Sequence, residues 1–191
     1  MESPHDRRSR RLMGEFCVDQ ENNHPPALIL SGLMIGTITL TDSDSLKIQH
    51  HAERCYPEEC CGLLLGRQVY CPDGSMVWQV VAIQETENCW GDLDEFPRTD
   101  ATAGKHNRFA IDPRILLAVQ KADRQREIRL IGIYHSHPQG PPVPSEFDQA
   151  IAWPEYVYWI VSLESGKVQE GKGWILADQG QFQEIPSTLL V

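Results

Sequence analysis

A chain of 191 residues suits one domain with some extension, and its 41% apolar content is enough for a core. The formal net charge of −10 argues against a general binder of nucleic acid or anionic membranes. The basic charge is concentrated at the start, in Arg7, Arg8, Arg10 and Arg11. Beyond residue 11 the chain carries 13 basic against 25 acidic residues, or −12. That balance favours a partner with a basic surface or tail. The six cysteines, Cys17, Cys55, Cys60, Cys61, Cys71 and Cys89, form no C-x-x-C pair. They predict neither a zinc ribbon nor a disulfide framework, so a reducing cytoplasm is the default location.

In chain order, residues 1 to about 33 are polar, then Pro-containing, then apolar without a period, and are expected to be poorly ordered. The run from Ala27 to Leu40 is shorter than the roughly 20 residues that span a bilayer. The folded domain is expected to begin near Met34, which is also a candidate natural start. Ile35 to Leu40 reads as the first strand. Asp42 or Ser43 can cap a helix to about Cys55, with Pro57 closing that region. Cys60 to Gly66, C-C-G-L-L-L-G, is continuously apolar and reads as a central strand. The turn signal Cys71-Pro72-Asp73-Gly74 then joins it to a β-branched strand over Met76–Glu85, as a hairpin.

Asn88 to Asn107 has no period and reads as a long functional loop, with Trp90 and Phe96 as candidate partner contacts. Phe109–Ile111 reads as a strand. Asp112-Pro113 supplies an N-cap and a first helical residue for a helix to about Arg126. Arg129–His135 is a second apolar strand. Four prolines stiffen the loop over Pro138–Pro144. Ser145 caps a short helix to about Trp153. Tyr156–Leu163, Val168–Ala177 and Phe182–Ile185 read as closing strands.

The chemistry concentrates at His135-Ser136-His137-Pro138 and, six residues later, Ser145-Glu146-Phe147-Asp148. Histidines two apart on a strand share a face. With Asp148 they make a three-ligand set that leaves the fourth position open, the pattern of a catalytic rather than a structural zinc. The spacing from Ser145 to Asp148 is also a helix-capping pattern, which is compatible with ligation. Hydrolysis by such a site needs a carboxylate near the metal but not bound to it, and Glu58, Glu59 and Glu146 are the candidates. The Ser145 hydroxyl is placed to donate to a developing oxyanion.

The pattern H-S-H-P-x6-S-x-x-D, with the upstream E-C-C-G-L-L-L-G, resembles the JAMM (MPN+) metalloprotease family, most of all its small prokaryotic JAB-domain branch. The match runs from about Ile38 to Ile185 and includes Arg108-Phe109-Ala110-Ile111-Asp112-Pro113. The resemblance implies an α/β (α+β) domain over residues 34–191, with a curved mixed β-sheet flanked by helices, cytidine-deaminase-like, and an insertion at about 88–107. It implies one Zn2+ held by His135, His137 and Asp148, and Ser145 stabilising the tetrahedral intermediate. Its E-x-x-G spacing selects Glu59 as the general base. It further implies a cytoplasmic zinc peptidase or isopeptidase. The bond cut would follow the Gly-Gly tail of a ubiquitin-like or sulfur-carrier protein, with no nucleic-acid or membrane partner. Three other readings fit parts of the pattern: a non-catalytic scaffold for ubiquitin-like proteins, a RadC-like DNA-repair relative, and a non-haem iron oxygenase triad.

Overall fold

A computed structural model describes residues 36–72, 74–92, 102–123, 127–177 and 180–190. The expected N-terminal extension, the Met34 boundary and Phe96 lie outside these residues. The elements are β1 (Gly36–Thr41), α1 (Asp42–Cys55), β2 (Cys61–Tyr70), β3 (Met76–Thr86), α2 (Pro113–Asp123), β4 (Arg129–His137), α3 (Glu146–Ile151), β5 (Val157–Glu164), β6 (Lys167–Leu176), β7 (Phe182–Ile185) and β8 (Ser187–Leu190).

All eight strands join one mixed sheet, in the order β7-β6-β5-β4-β2-β3-β1-β8. Its two edge strands, β7 and β8, are consecutive in the chain, with only Pro186 between them. A sheet whose opposite edges are one residue apart must curl nearly shut, and Ile38 N donates to the Pro186 carbonyl at 3.0 Å where the β1–β8 ladder begins. The curved mixed sheet implied by the sequence is therefore present. Helix α1 lies inside the curl, against strands from both halves of the sheet. Its Ile48 and Ala52 join Ile38, Leu40, Leu64, Trp78, Tyr134 and Ile175 in the main core. Helix α2 covers the outer face, where Ile115, Leu116 and Val119 pack on Cys61, Leu63, Phe109 and Leu130.

This two-sided covering explains the unbroken apolar run of β2. Successive side chains point to opposite faces, so Leu63 serves one core and Leu64 the other, and both are fully buried. Gly62 is required by a close approach. A Cβ there would overlap the Tyr134 side chain, which lies across β2 and meets His51 Nδ1 through its hydroxyl at 2.8 Å.

Several boundaries differ from the sequence reading. Thr41, not Asp42 or Ser43, caps α1, its side chain accepting from Asp44 N. Strand β2 runs on to Tyr70 because the hairpin with β3 continues past the buried half. Phe109–Ile111 is buried but joins no strand. Its apolar side chains fill the outer core, while its Ala110 backbone bonds to loop residues instead of a ladder. Strand β8 has no counterpart in the sequence reading. Among the described residues, Cys55, Cys60, Cys61 and Cys89 are free thiols. Among the described residues, no helix is long and apolar enough to cross a membrane.

Candidate metal centre

The site forms where β4 ends. Strand β4 lies antiparallel to β2, with His135 opposite Cys61, and parallel to β5, with His135 beside Ile160. Parallel neighbours need a crossover. Here the crossover is the proline-rich loop followed by α3, which returns Asp148 over the end of β4. His135 and His137 share one face. Ser136 points to the other, where its Oγ accepts from Cys60 N at 2.8 Å.

The two Nε2 atoms stand 3.1 Å apart. Asp148 Oδ1 is 3.4 Å from His135 Nε2, and Asp148 Oδ2 is 3.5 Å from His137 Nε2. Three donors at about 2.0–2.1 Å from a tetrahedral zinc stand about 3.3 Å from one another, so these residues fit such an ion. They are the one group of three or more His, Cys, Asp or Glu side chains among the described residues arranged to hold a metal. His137 Nδ1 meets the Pro141 carbonyl at 2.7 Å, which places its proton on Nδ1 and turns the Nε2 lone pair inward. His135 is oriented by packing: its ring stacks on Phe109 at 4.5 Å, and its buried Nδ1 has no hydrogen-bond partner among the described residues.

Ser145 and Asp148 cap α3 reciprocally. Asp148 N donates to Ser145 Oγ at 3.2 Å, while Ser145 N and Oγ donate to Asp148 Oδ2 at 2.6 and 2.7 Å. The capping pattern and the ligand geometry thus coexist, because Oδ2 is held by the cap and Oδ1 is left facing His135. Burial works against ionisation of Asp148. The two imidazoles and the Ser145 hydroxyl outweigh it and hold the carboxyl far below its usual range. Burial lowers the His135 pKa, against the pull of Asp148, and so favours the neutral form that ligates.

Of the three candidate bases, Glu59 is buried and Glu58 is exposed, while Glu146 takes the first position of α3, outside the site. Burial pushes Glu59 up to about 8, opposed by His137 and Arg108 and reinforced by Asp148. The unfolded side chain ionises near 4.5, so between 4.5 and 8 the folded protein binds more protons than the unfolded chain. Its stability therefore falls as pH rises through that window. In metal-free protein, Glu59→Gln removes this cost. The variant is expected to melt at the same temperature as wild type near pH 4. Near pH 8 it is expected to be more stable by a few kcal/mol, since each tenfold change in proton affinity is worth about 1.4 kcal/mol. Melts in chelator at both pH values test this, and an equal gap at both would refute it.

Three contributors were not legible in the sequence: Phe109 behind His135, the Pro141 carbonyl on His137, and Asn88, whose side chain bonds to the Glu59 carbonyl at 3.0 Å. Trp90 packs edge-on against Phe147 of α3, with ring centroids 5.1 Å apart, and Arg108 sits 4.9 Å from the same ring. Beside Glu59 lies a cleft of about 640 Å³, walled by α1, the end of β3 and the loop residues Asn88, Asp92 and Lys105.

The family model describing prokaryotic homologs of the JAB domain matches residues 43–176. The chain is similar to the desampylase of Pyrococcus furiosus, at 33% identity over 79 residues, covering 40% of this chain and 53% of that protein. It is similar also to the desampylase of Haloferax volcanii, at 36% identity over 67 residues, covering 35% and 48%. The chain therefore spans about half the length of these curated relatives. Its fold is similar to the solution structure of a protein from Desulfitobacterium hafniense, with a TM-score of 0.61 and 29% identity over 80% of this chain and 92% of that one. A solution structure from Salinibacter ruber matches with a TM-score of 0.51 and 29% identity, over 78% and 90%.

Proposed function

The chain belongs to the prokaryotic homologues of the JAB domain, a small JAMM/MPN-type family, and from that premise we propose that it is a cytoplasmic zinc-dependent peptidase or isopeptidase. It hydrolyses the bond that follows the Gly-Gly tail of a ubiquitin-like or sulfur-carrier protein. The observation that carries the reading is the convergence of His135, His137 and Asp148 on one point, with buried Glu59 close enough to feel the charges of His137 and Asp148. The similarity to two desampylases supports the substrate class.

In this reading His135, His137 and Asp148 hold one Zn2+, which when bound supplies a Lewis acid and a more acidic water. Glu59 accepts the proton of the attacking water and passes it to the departing amine. Its burial suits the second half of that task, since a carboxyl that readily holds a proton near neutral pH can also return it. The Ser145 hydroxyl turns its proton from Asp148 Oδ2 to the substrate oxygen as negative charge develops there. The main-chain N–H of Ser145 stays on Oδ2 and keeps Asp148 oriented. An extended Gly-Gly tail, without side chains, is suited to binding as an added strand.

The decisive experiment incubates zinc-loaded protein with Gly-Gly-tailed carrier proteins extended at the C-terminus by single amino acids, or joined through a lysine side chain. Mass spectrometry then reads the cut. Release immediately after the second glycine is expected. Intact substrates throughout would overturn the proposal and favour a non-catalytic binding role.

A further inference from the structure

We infer that Asn88 is a positioning residue for Glu59, tying the base to the loop over 88–107; the inference rests on Glu59 being the base. Its amide is fully engaged. Nδ2 donates to the Glu59 carbonyl at 3.0 Å and the Arg108 carbonyl at 2.9 Å, with a longer contact of 3.5 Å to the Lys105 carbonyl. Oδ1 accepts from Trp90 N at 3.0 Å and Ala110 N at 3.2 Å. Two donors and two acceptor sites are all that an asparagine side chain offers, and all four are used.

Glu59 needs such an anchor. It precedes β2 and belongs to no ladder. Among the described residues its backbone has two bonds: Glu59 N to the Lys105 carbonyl at 2.7 Å, and its carbonyl to Asn88. Asn88 is itself held by the sheet, because the last rung of the β2–β3 ladder pairs Cys61 with Thr86, whose Oγ1 donates to the Cys61 carbonyl at 2.9 Å.

The other spokes of the hub also reach the site. Arg108, whose carbonyl Asn88 holds, lowers the Glu59 pKa by its charge and lies over Phe147, next to Asp148. Ala110, whose N–H Asn88 accepts, follows Phe109, the ring stacked on His135. One amide therefore fixes the spacing between the base, the backing of one imidazole and the helix that carries Asp148. No other side chain of this length both donates to two carbonyls and accepts from two amides. Aspartate would face two carbonyl oxygens with a carboxylate, and serine keeps a single donor.

A base displaced by about 1 Å costs up to about 100-fold in rate. Asn88→Ala is therefore expected to lower kcat on a cleaved Gly-Gly-tailed fusion by about 10-fold to 100-fold, with KM changed less than about threefold and zinc still one per chain. Asn88→Asp is expected to fall further, and Asn88→Ser to lie between wild type and Asn88→Ala. In a Glu59→Gln background Asn88→Ala should cost less than about threefold, because most of its effect runs through the base. A kcat within about twofold of wild type, a loss that tracks loss of zinc, or the same loss in the Glu59→Gln background would each overturn the inference. Should Asn88→Ala not fold, Asn88→Ser supplies the same readouts. If wild-type protein cleaves none of the fusions, it is the functional reading that fails. Crystal structures of the zinc-loaded wild type and Asn88→Ala then decide the inference separately: a displaced Glu59 carboxylate upholds it, and an unmoved one overturns it.

Discussion

Replacing Glu59 by glutamine is expected to lower kcat/KM on a Gly-Gly-tailed fusion by about 10²- to 10⁴-fold, the range that a positioned general base supplies. Zinc content should stay at one per chain. Glutamine keeps the volume and one hydrogen-bonding oxygen but can neither take a proton from water nor return it. The variant therefore separates proton transfer from packing. Glu58→Gln is the matched control: Glu58 is the adjacent residue and is exposed, so its loss should leave turnover near wild type. Steady-state rates with metal analysis on the same samples check both. A Glu59→Gln enzyme within tenfold of wild type would mean that another group moves the proton. Because the same substitution is expected to stabilise metal-free protein at pH 8, lost activity could not be put down to a damaged fold.

Replacing Asp148 by asparagine is expected to remove metal and activity together. The carboxylate stands 3.4 and 3.5 Å from the two imidazole Nε2 atoms. An amide there offers a weaker oxygen and, if turned, two donors that oppose a cation. Zinc affinity should fall by more than the 10–100-fold that follows loss of a residue which only orients a ligand. The readout is the melting temperature with and without zinc. A metal held at about 1,000 times its Kd stabilises the folded state by about 4 kcal/mol. Wild type should show such a rise, and the variant almost none. The cap matters too, since Asp148 Oδ2 accepts from Ser145 N and Oγ. Ser145→Ala, which keeps the carboxylate, therefore serves as the cap-only reference. An undiminished zinc-dependent shift in Asp148→Asn would exclude it as a ligand.

The candidate ligand set was legible in the sequence because two of its three spacings are local. A strand puts residues two apart on one face, so His135 and His137 had to share a side. A capped helix a fixed distance on gave Asp148 a defined place in its first turn. Helix α1, strand β2 and the hairpin to β3 were legible for a similar reason, since apolar period and turn residues are near-neighbour properties. Phe109–Ile111 misled because burial alone does not make a strand. Its side chains fill a core, but its backbone bonds to a loop.

Other features depended on distant segments meeting. Composition leaves Glu58 and Glu59 equivalent; the E-x-x-G spacing of the family pattern selects Glu59, and the mouth of the curled sheet buries it and exposes Glu58. The curl follows from β7 and β8 lying at opposite edges though separated by Pro186, an arrangement that no local pattern encodes. Asn88 looks like one more polar loop residue until β3, the start of β2 and the segment before α2 are brought together around its amide. By itself the sequence determined which atoms can bind a metal, since that is a matter of residue type and short spacing. The tertiary structure decided which carboxylate is buried beside them and what holds it there, because burial and hydrogen-bond satisfaction are set by the whole packed chain.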